Sequence, residues 1–467
     1  MNNKMTSYYK FPSSILEAEV TGTLSKTPGF FNFNDIICFG KINKPEVLHT
    51  NYLDDRVRKI TGEIVFQDKT CFLPFDIDEI IENYWYEKFI HKNPGSPLKN
   101  LANKTIRATY YSVRPFMPLY LRKHMQKFSM RNWKDIQFPR WPLDTSTEDL
   151  FELILTEYLK ANPGMKIPFI WFWPEGKNSA IMMTHDVEEE MGRSNCIPLM
   201  NMEEKYGVRS SFQLVPEVRY FVTRPFLNEV TSRGFEVCLH GLCHDGRLFQ
   251  NKDIFLKKLK KIHEYANDWG AIGFRSPILY RNLEWYHHFE FKYDMSVPNV
   301  GNIDPQKGGC CTVMPYNVGK IVELPLTTLQ DHPLYYYLND YSIDIWRNQF
   351  ELINSKHGLT SFIIHPDYTI SNMSKNNYDS LLSFLARKRD EENVWFPLPK
   401  EIYKWRELRD KMELVNKDGV WEIEGEGKEN ARIAFAELVN NKLKYTIGEN
   451  RRDTDRKTSL AEENLAI

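Results

Sequence analysis

The hydrophobic positions change character along the chain. Up to about residue 175 they come in short, interrupted runs. Strand-like stretches are predicted at 35–39 and 62–66, an apolar helical stretch at 80–90, and a helix at 119–128 after Arg114-Pro115. The extended aromatic piece Phe138-Pro139-Arg140-Trp141-Pro142 follows. A further helix is predicted from the cap Thr145/Ser146 through Tyr158, before Asn162-Pro163-Gly164 breaks the pattern. From about residue 176, short apolar runs alternate with helical spacing. Strands are predicted at 180–184, 208–214, 235–239, 271–274, 320–324 and 360–365. Helices are predicted at 197–205, 226–232, 253–267, 343–354 and 378–389. The strands are continuously apolar, as parallel strands covered on both faces are. The alternation predicts an α/β fold, either a parallel barrel or an open sheet.

A charged helix at 400–412 ends this region. Strand-like runs at 419–424 and 433–447 suggest a small antiparallel unit, and the polar segment from 448 has the composition of a disordered tail. The expected division is an N-terminal α+β accessory region over 1–175, an α/β domain over 176–412, a β unit over 413–447 and a tail over 448–467.

Composition narrows the function classes. The 61 Lys+Arg nearly balance 62 Asp+Glu, for a net charge of −1, so no electrostatic case for nucleic acid exists. No apolar window long enough to span a membrane is present, and the first residues lack the apolar core of a secretory signal. Seven scattered cysteines with no Cys-x-x-Cys pair fit reduced thiols and a cytoplasmic location, and argue against a Cys-rich zinc site. The aromatic fraction of 14% is high, and is read as bulky core ahead of a stacking surface.

Candidate chemistry gathers at four predicted strand ends. The run at 180–184 leads into Thr184-His185-Asp186-Val187-Glu188, where alternation turns Asp186 and Glu188 the same way; Glu189 and Glu190 extend it, so a solvated acidic loop is the competing reading. The run at 235–239 ends in His240-Gly241-Leu242-Cys243-His244, and two histidines four apart can meet one cation. Two neutral imidazoles and one carboxylate leave an open position for water on a tetrahedral metal. Arg275-Ser276-Pro277 follows the third run, where an arginine can hold a carboxylate ionised. His365 follows the fourth, where a general acid could reach the same site. His185 alternates away from Asp186, Cys243 reads as a spacer, and His287-His288 reads as structural on a surface helix. Arg107, Arg114 and Arg140 read as ion-pair residues, and Trp141 as a cap on the site's mouth or an interface plug.

In order and spacing, Thr184-x-Asp186-x-Glu188, His240-x-x-x-His244, Arg275-x-Pro277 and His365 resemble the motifs of the polysaccharide deacetylase family, metal-dependent carbohydrate esterases that include chitin- and peptidoglycan-deacetylating enzymes. The resemblance covers roughly residues 176–400 and implies a distorted parallel (β/α) barrel. Carried over by position, it implies Asp186 as catalytic base, His240 and His244 as metal ligands, Arg275 as the residue orienting the base and His365 as general acid. The family's usual second acid would fall at Val187; the variant form points instead to Glu188, with Asp186 as the alternative ligand. The fourth motif has candidates in Glu323 and Asp331, with Trp346 further on. Pro277 and Asp331 are expected to contact substrate. Phe138-Pro139-Arg140-Trp141-Pro142, Gly308-Gly309-Cys310-Cys311, Glu323-Leu324-Pro325 and His365-Pro366-Asp367-Tyr368 look like intracellular members associated with surface polysaccharides.

The implied activity is metal-dependent removal of an acetyl group from an N-acetylated or O-acetylated sugar, a hydrolysis of a non-peptide carbon–nitrogen bond in the first case. The implied cofactor is a divalent cation. The ligand set suits Zn²⁺, with Co²⁺, Ni²⁺ or Fe²⁺ as alternatives. Two other readings are a catalytically silent carbohydrate-binding protein of the same fold and an amidohydrolase acting on a small cyclic amide or ureide.

Overall fold

The computed structural model of the chain describes residues 4–12, 14–43, 59–60, 64–90 and 133–448. The predicted helix at 119–128, Arg107, Arg114 and the tail from 449 lie outside the described residues.

The largest sheet is built from β1 (Ala180–Val187), β2 (Ser211–Leu214), β3 (Glu236–His240), β4 (Gly273–Arg275), β5 (Tyr293–Asp294), β6 (Tyr316–Val318), β7 (Ile321–Glu323) and β8 (Leu359–Ile363). Its order is β6-β7-β5-β4-β3-β2-β1-β8. Every pairing is parallel except the β6–β7 hairpin. Helices α1 (Glu190–Lys205), α2 (Arg224–Ser232) and α3 (Lys252–Trp269) link β1 through β4; α4 (Asp344–Ser355) precedes β8, and α5 (Asn372–Glu391) and α6 (Pro399–Lys411) follow it. All residues of β1, β3 and β8 are buried, as strands covered on both faces are.

The sheet curls until its two edges meet. Beyond β7 the chain reaches β8 mainly through side chains: Thr327 Oγ1 donates to the Leu359 carbonyl at 2.7 Å and Thr328 Oγ1 to the Ser361 carbonyl at 2.8 Å. The Ser361 amide donates back to Thr327 Oγ1 at 2.8 Å. Threonine hydroxyls thus satisfy strand-edge groups that a regular ladder would otherwise pair. The result is a distorted (β/α) barrel.

Strand β1 runs three residues past its predicted end, because Thr184–Val187 pair in register with Ser211–Leu214 of β2. Asp186 therefore lies within the strand. Alternation sends Val187 outward, into an apolar cluster with Cys196 and Met200 of α1. His185 also faces out: Nε2 lies 2.7 Å from Glu203 Oε1 of α1 and Nδ1 2.8 Å from the Ile364 carbonyl. Helix α1 begins at Glu190, well before the predicted start, and continues through Pro198. His287 and His288 end a short 3₁₀ turn, Leu283–His288, rather than a surface helix. All seven cysteines are unpaired.

The flanking parts interlock with the barrel. Strand Ile433–Val439 pairs with Lys442–Ile447 on one side and with Ile167–Ile170, far earlier in the sequence, on the other. Arg409 of α6 is buried, and among the described residues its hydrogen-bond partners are all carbonyls. It donates to the carbonyls of Tyr8, Tyr9, Ile170 and Trp171 at 3.0, 3.1, 2.7 and 3.0 Å, and burial, reinforced by Arg406, pushes its pKa down to about 9. Glu87 receives Arg281 Nε at 2.6 Å and the Gly309 amide at 2.7 Å, fixing the Gly308–Cys311 loop to the N-terminal region.

Glu148, on the helix Ser146–Ala161, is fully buried. Its Oε1 accepts from Thr312 Oγ1 at 2.5 Å and the Val313 amide at 3.2 Å, while Oε2 has no partner. Burial pushes its carboxyl up to about 8. A raised folded-state value means that the neutral acid's contribution is complete below the unfolded carboxylate pKa and is lost as pH rises through the folded one. Glu148→Gln keeps the acceptor and cannot ionise. Thermal melts should show the variant level with wild type near about pH 4 and more stable near about pH 9, by a few kcal/mol at roughly 1.4 kcal/mol per pKa unit.

Candidate active site

The barrel mouth collects side chains from β1, β3, β4 and β8. Arg275, the last residue of β4, is fully buried. Its Nη1 donates to Asp186 Oδ1 at 2.8 Å and to Thr184 Oγ1 at 2.7 Å, and Nε donates to the Met295 carbonyl at 2.9 Å. The grip on Asp186 comes from one nitrogen rather than a two-pronged fork. Burial opposes the charge on Asp186, but Arg275, His240 and His365 outweigh it and hold the carboxyl below its usual range. Thr184 Oγ1 in turn donates to the Phe362 carbonyl of β8 at 2.5 Å.

His240 ends β3, and the chain turns at once to bring His244 beside it, ring centroids 5.0 Å apart. The turn needs glycine at 241: φ is +66°, and a Cβ there would sit 2.5 Å from Pro277 Cγ. Pro277, expected to contact substrate, is buried, and this turn packs on its ring. His244 also has positive φ, +48°, and its carbonyl is held by Arg219 Nη2 at 2.9 Å. His240 Nδ1 lies 3.2 Å from the Arg275 carbonyl. A carbonyl only accepts, so the proton sits on Nδ1 and the Nε2 lone pair is free. Burial pushes the pKa of His240 down to about 4, keeping the ring neutral.

Glu188 completes this group. Its Oε1 is 2.9 Å from His244 Nε2, and one atom each from Glu188, His240 and His244 lie within 4.8 Å of one another. The Nε2 atoms of both histidines are buried without a hydrogen-bond partner. Two buried imidazole Nε2 atoms beside a carboxylate are a donor set that fits a divalent cation. Burial works against the charge of Glu188, but His244, His365 and His240 hold its carboxyl well below the usual range. Asp186 Oδ2 is 3.7 Å from His240 Nε2, on the flank of the group.

His365 stands on the other flank, with Nε2 3.6 Å from Glu188 Oε1. Asp331 holds it twice: Oδ1 is 2.6 Å from Nδ1, and Oδ2 accepts the His365 amide at 2.8 Å. Asp331, expected at the substrate, is fully buried and has both oxygens on His365, whose ring it orients. Burial alone would lower the pKa of His365; Asp331, with Glu188 and Asp186 behind it, pushes it up to about 10. Glu323 lies elsewhere, accepting the Val297 amide at 2.9 Å, and Trp346 braces the segment before Asp331 by donating to the Leu329 carbonyl at 2.6 Å.

One positioning residue escaped the sequence reading. Asp367 accepts the amides of Glu188 and Gly192, each at 3.0 Å, fixing Glu188 to the first turn of α1. A Cβ at Gly192 would sit 2.2 Å from Asp367 Oδ2, so only glycine admits this contact. Its signal was the acid two residues after His365. The remaining candidates are structural. Cys243 lies beside Lys258, Arg140 pairs with Asp149 at 2.8 Å, and Trp141 packs edge-on against Trp133.

No family model matches the chain, and no curated protein matches it. Among solved structures it is similar to a Mycobacterium smegmatis protein assigned to the polysaccharide deacetylases, at 20% identity over 51% of this chain and 93% of that one, with a TM-score of 0.42. It is also similar to the Puue allantoinase (12% identity, 50% and 91% coverage, TM-score 0.36) and to the peptidoglycan deacetylase PdaC from Bacillus subtilis (15%, 50% and 95%, 0.32). These are likenesses of fold over half of the chain.

Zinc added to metal-free protein should raise the melting temperature, since a ligand held by the folded state at a hundred times its Kd adds about 2.7 kcal/mol. His240→Ala and His244→Ala should each lose most of that shift, together with the zinc retained after gel filtration. A full shift in both variants would place the cation elsewhere.

Proposed function

We propose that the chain is a metal-dependent hydrolase that removes an acetyl group from an N-acetylated or O-acetylated sugar. The observation that carries this reading is the convergence of two buried, unpartnered imidazole nitrogens and a carboxylate, flanked by an arginine-held acid and an acid-held histidine. In this reading Glu188, His240 and His244 hold the cation, and Asp186 stays free of it because Arg275 engages one of its oxygens. A bound divalent cation supplies Lewis-acid polarisation of the acyl oxygen and a more acidic water.

The chain's own residues do the rest. Asp186, kept ionised by Arg275, takes a proton from the water that attacks the acyl carbon. Arg275 also fixes the carboxylate's direction, since its guanidinium is tied at once to Thr184 Oγ1 and the Met295 carbonyl. His365, charged and oriented by Asp331, donates its Nε2 proton to the nitrogen or oxygen that leaves. The C–N or C–O bond breaks as the new C–O bond forms, giving acetate and a free amine or alcohol.

The test is acetate release from N-acetylated chito-oligosaccharides and O-acetylated xylan by the zinc- or cobalt-loaded protein. Asp186→Asn and His365→Asn should each lower kcat by roughly 10²–10⁴-fold, the range of a lost acid or base, while cation binding persists. No acetate from either class of substrate, or full activity in both variants, would sink the proposal.

A further inference from the structure

In the run Thr184–Glu188, His185 faces away from the cation site, yet its ring is tightly held. It is fully buried. The imidazole stacks on Phe212 of β2, centroids 4.9 Å apart, and meets Tyr378 of α5 edge-on at 5.9 Å. Glu203 of α1 lies 2.7 Å from Nε2, and is itself fixed by the Tyr378 hydroxyl at 2.5 Å and Ser210 Oγ at 2.8 Å. A buried polar network satisfied in this way is rigid, so the ring has one orientation.

That orientation puts Nδ1 2.8 Å from the Ile364 carbonyl. A carbonyl only accepts, so Nδ1 is the donor. The register between β8 and β1 ends at Ile363–Thr184, and the Ile364 amide still donates to the Thr184 carbonyl at 3.0 Å. From there β1 continues to Val187 in register with β2. The imidazole thus gives the Ile364 carbonyl the donor that a further strand amide would have given it. The Ile364 carbonyl and the His365 amide belong to one planar peptide group. His185 grips that group at its oxygen, and Asp331 Oδ2 grips it at its nitrogen, 2.8 Å away. The main chain entering His365 is therefore pinned at both ends of one plane.

We infer that His185 is a positioning residue that sets the span between the base Asp186 and the acid His365 across the cation site. The inference rests on the deacetylase reading, which gives those two residues their roles. Hydrolysis takes a proton on one flank and delivers one on the other, and a misplacement of about 1 Å costs on the order of 10²-fold. The His185–Ile364 bond joins the immediate neighbours of the two residues, so it ties their main chains together where the strand register has ended. Glu203 extends the hold to α1, whose first turn meets Asp367 and, through it, the Glu188 backbone. A residue that merely filled the core would need the flat ring against Phe212 but neither ring nitrogen.

Steady-state kinetics on the full zinc-loaded chain test this, with rates taken per folded, zinc-binding molecule. The substrates are 4-nitrophenyl acetate and whichever acetylated saccharide, chito-oligosaccharide or xylan, the wild type turns over faster. His185→Phe keeps a ring on Phe212 and removes both nitrogens. Its kcat for the saccharide should fall by about tenfold or more, with KM and the zinc-induced melting shift retained. The fall should be smaller for 4-nitrophenyl acetate, whose phenolate leaves without a proton from His365. His185→Asn sets an amide donor where Nδ1 stood. It should regain most of the kcat, although it loses the ring and the Glu203 contact and melts lower. Unchanged kcat in His185→Phe, equal losses on both substrates, or no recovery in His185→Asn overturns the positioning role, while acetate release by wild type leaves the deacetylase reading standing. Wild type that releases acetate from neither saccharide overturns both.

Discussion

A carboxylate sealed inside a barrel stays charged only if a cation meets it there, and the Asp186–Arg275 contact is the constraint on which this site depends. Asp186 comes from β1 and Arg275 from β4, with β2 and β3 between them, so the pair forms only when the sheet curls. Arg275 is committed to Thr184 and Met295 as well as to Asp186, and Thr184 is committed to β8. Shifting any of these strands would strand a buried charge, at a cost of several kcal/mol. The bonds that tie β1 to β4 and β8 therefore also fix the acid at the mouth.

Around that pair the structure repeats one device. Several groups at the mouth are held by a carboxylate or carbonyl: Asp331 holds His365, Asp367 holds the Glu188 backbone, and the Arg275 carbonyl sets the tautomer of His240. These partners come from neighbouring strand ends or loops, so the mouth is preorganised by the barrel rather than by the loops alone. The imidazole Nε2 atoms of His240 and His244 are among the buried polar atoms without a hydrogen-bond partner among the described residues, and they lie beside the Glu188 carboxylate.

The flanking regions share a continuous apolar core with the barrel and are pinned to it by buried polar contacts. Arg409 gathers carbonyls from the N-terminal helix Lys4–Tyr9 and from the strand Ile167–Ile170, and Glu87 grips Arg281 and the Gly309 amide. A buried cation that satisfies four carbonyls is costly to lose. It therefore fixes distant segments in one arrangement.

The sequence by itself determined the alternation of strands and helices, because buried parallel strands must be continuously apolar. It also determined the identity of Asp186, Glu188, His240, His244, Arg275 and His365 as one group, because their types and order suit a single chemistry. It misplaced the end of β1 and the start of α1, since polar Thr184, His185 and Asp186 do not look like strand and Pro198 does not look like helix interior. Only the tertiary structure decided that Glu188 rather than Asp186 faces both imidazoles, that Asp331 rather than Glu323 serves His365, and that Pro277 is a packing block. It alone joined 433–447 to 167–170. The physical reason is common to these cases: side-chain type is written locally, but which carboxylate reaches which nitrogen depends on strand register and barrel closure, and those are set by contacts between residues far apart in the chain.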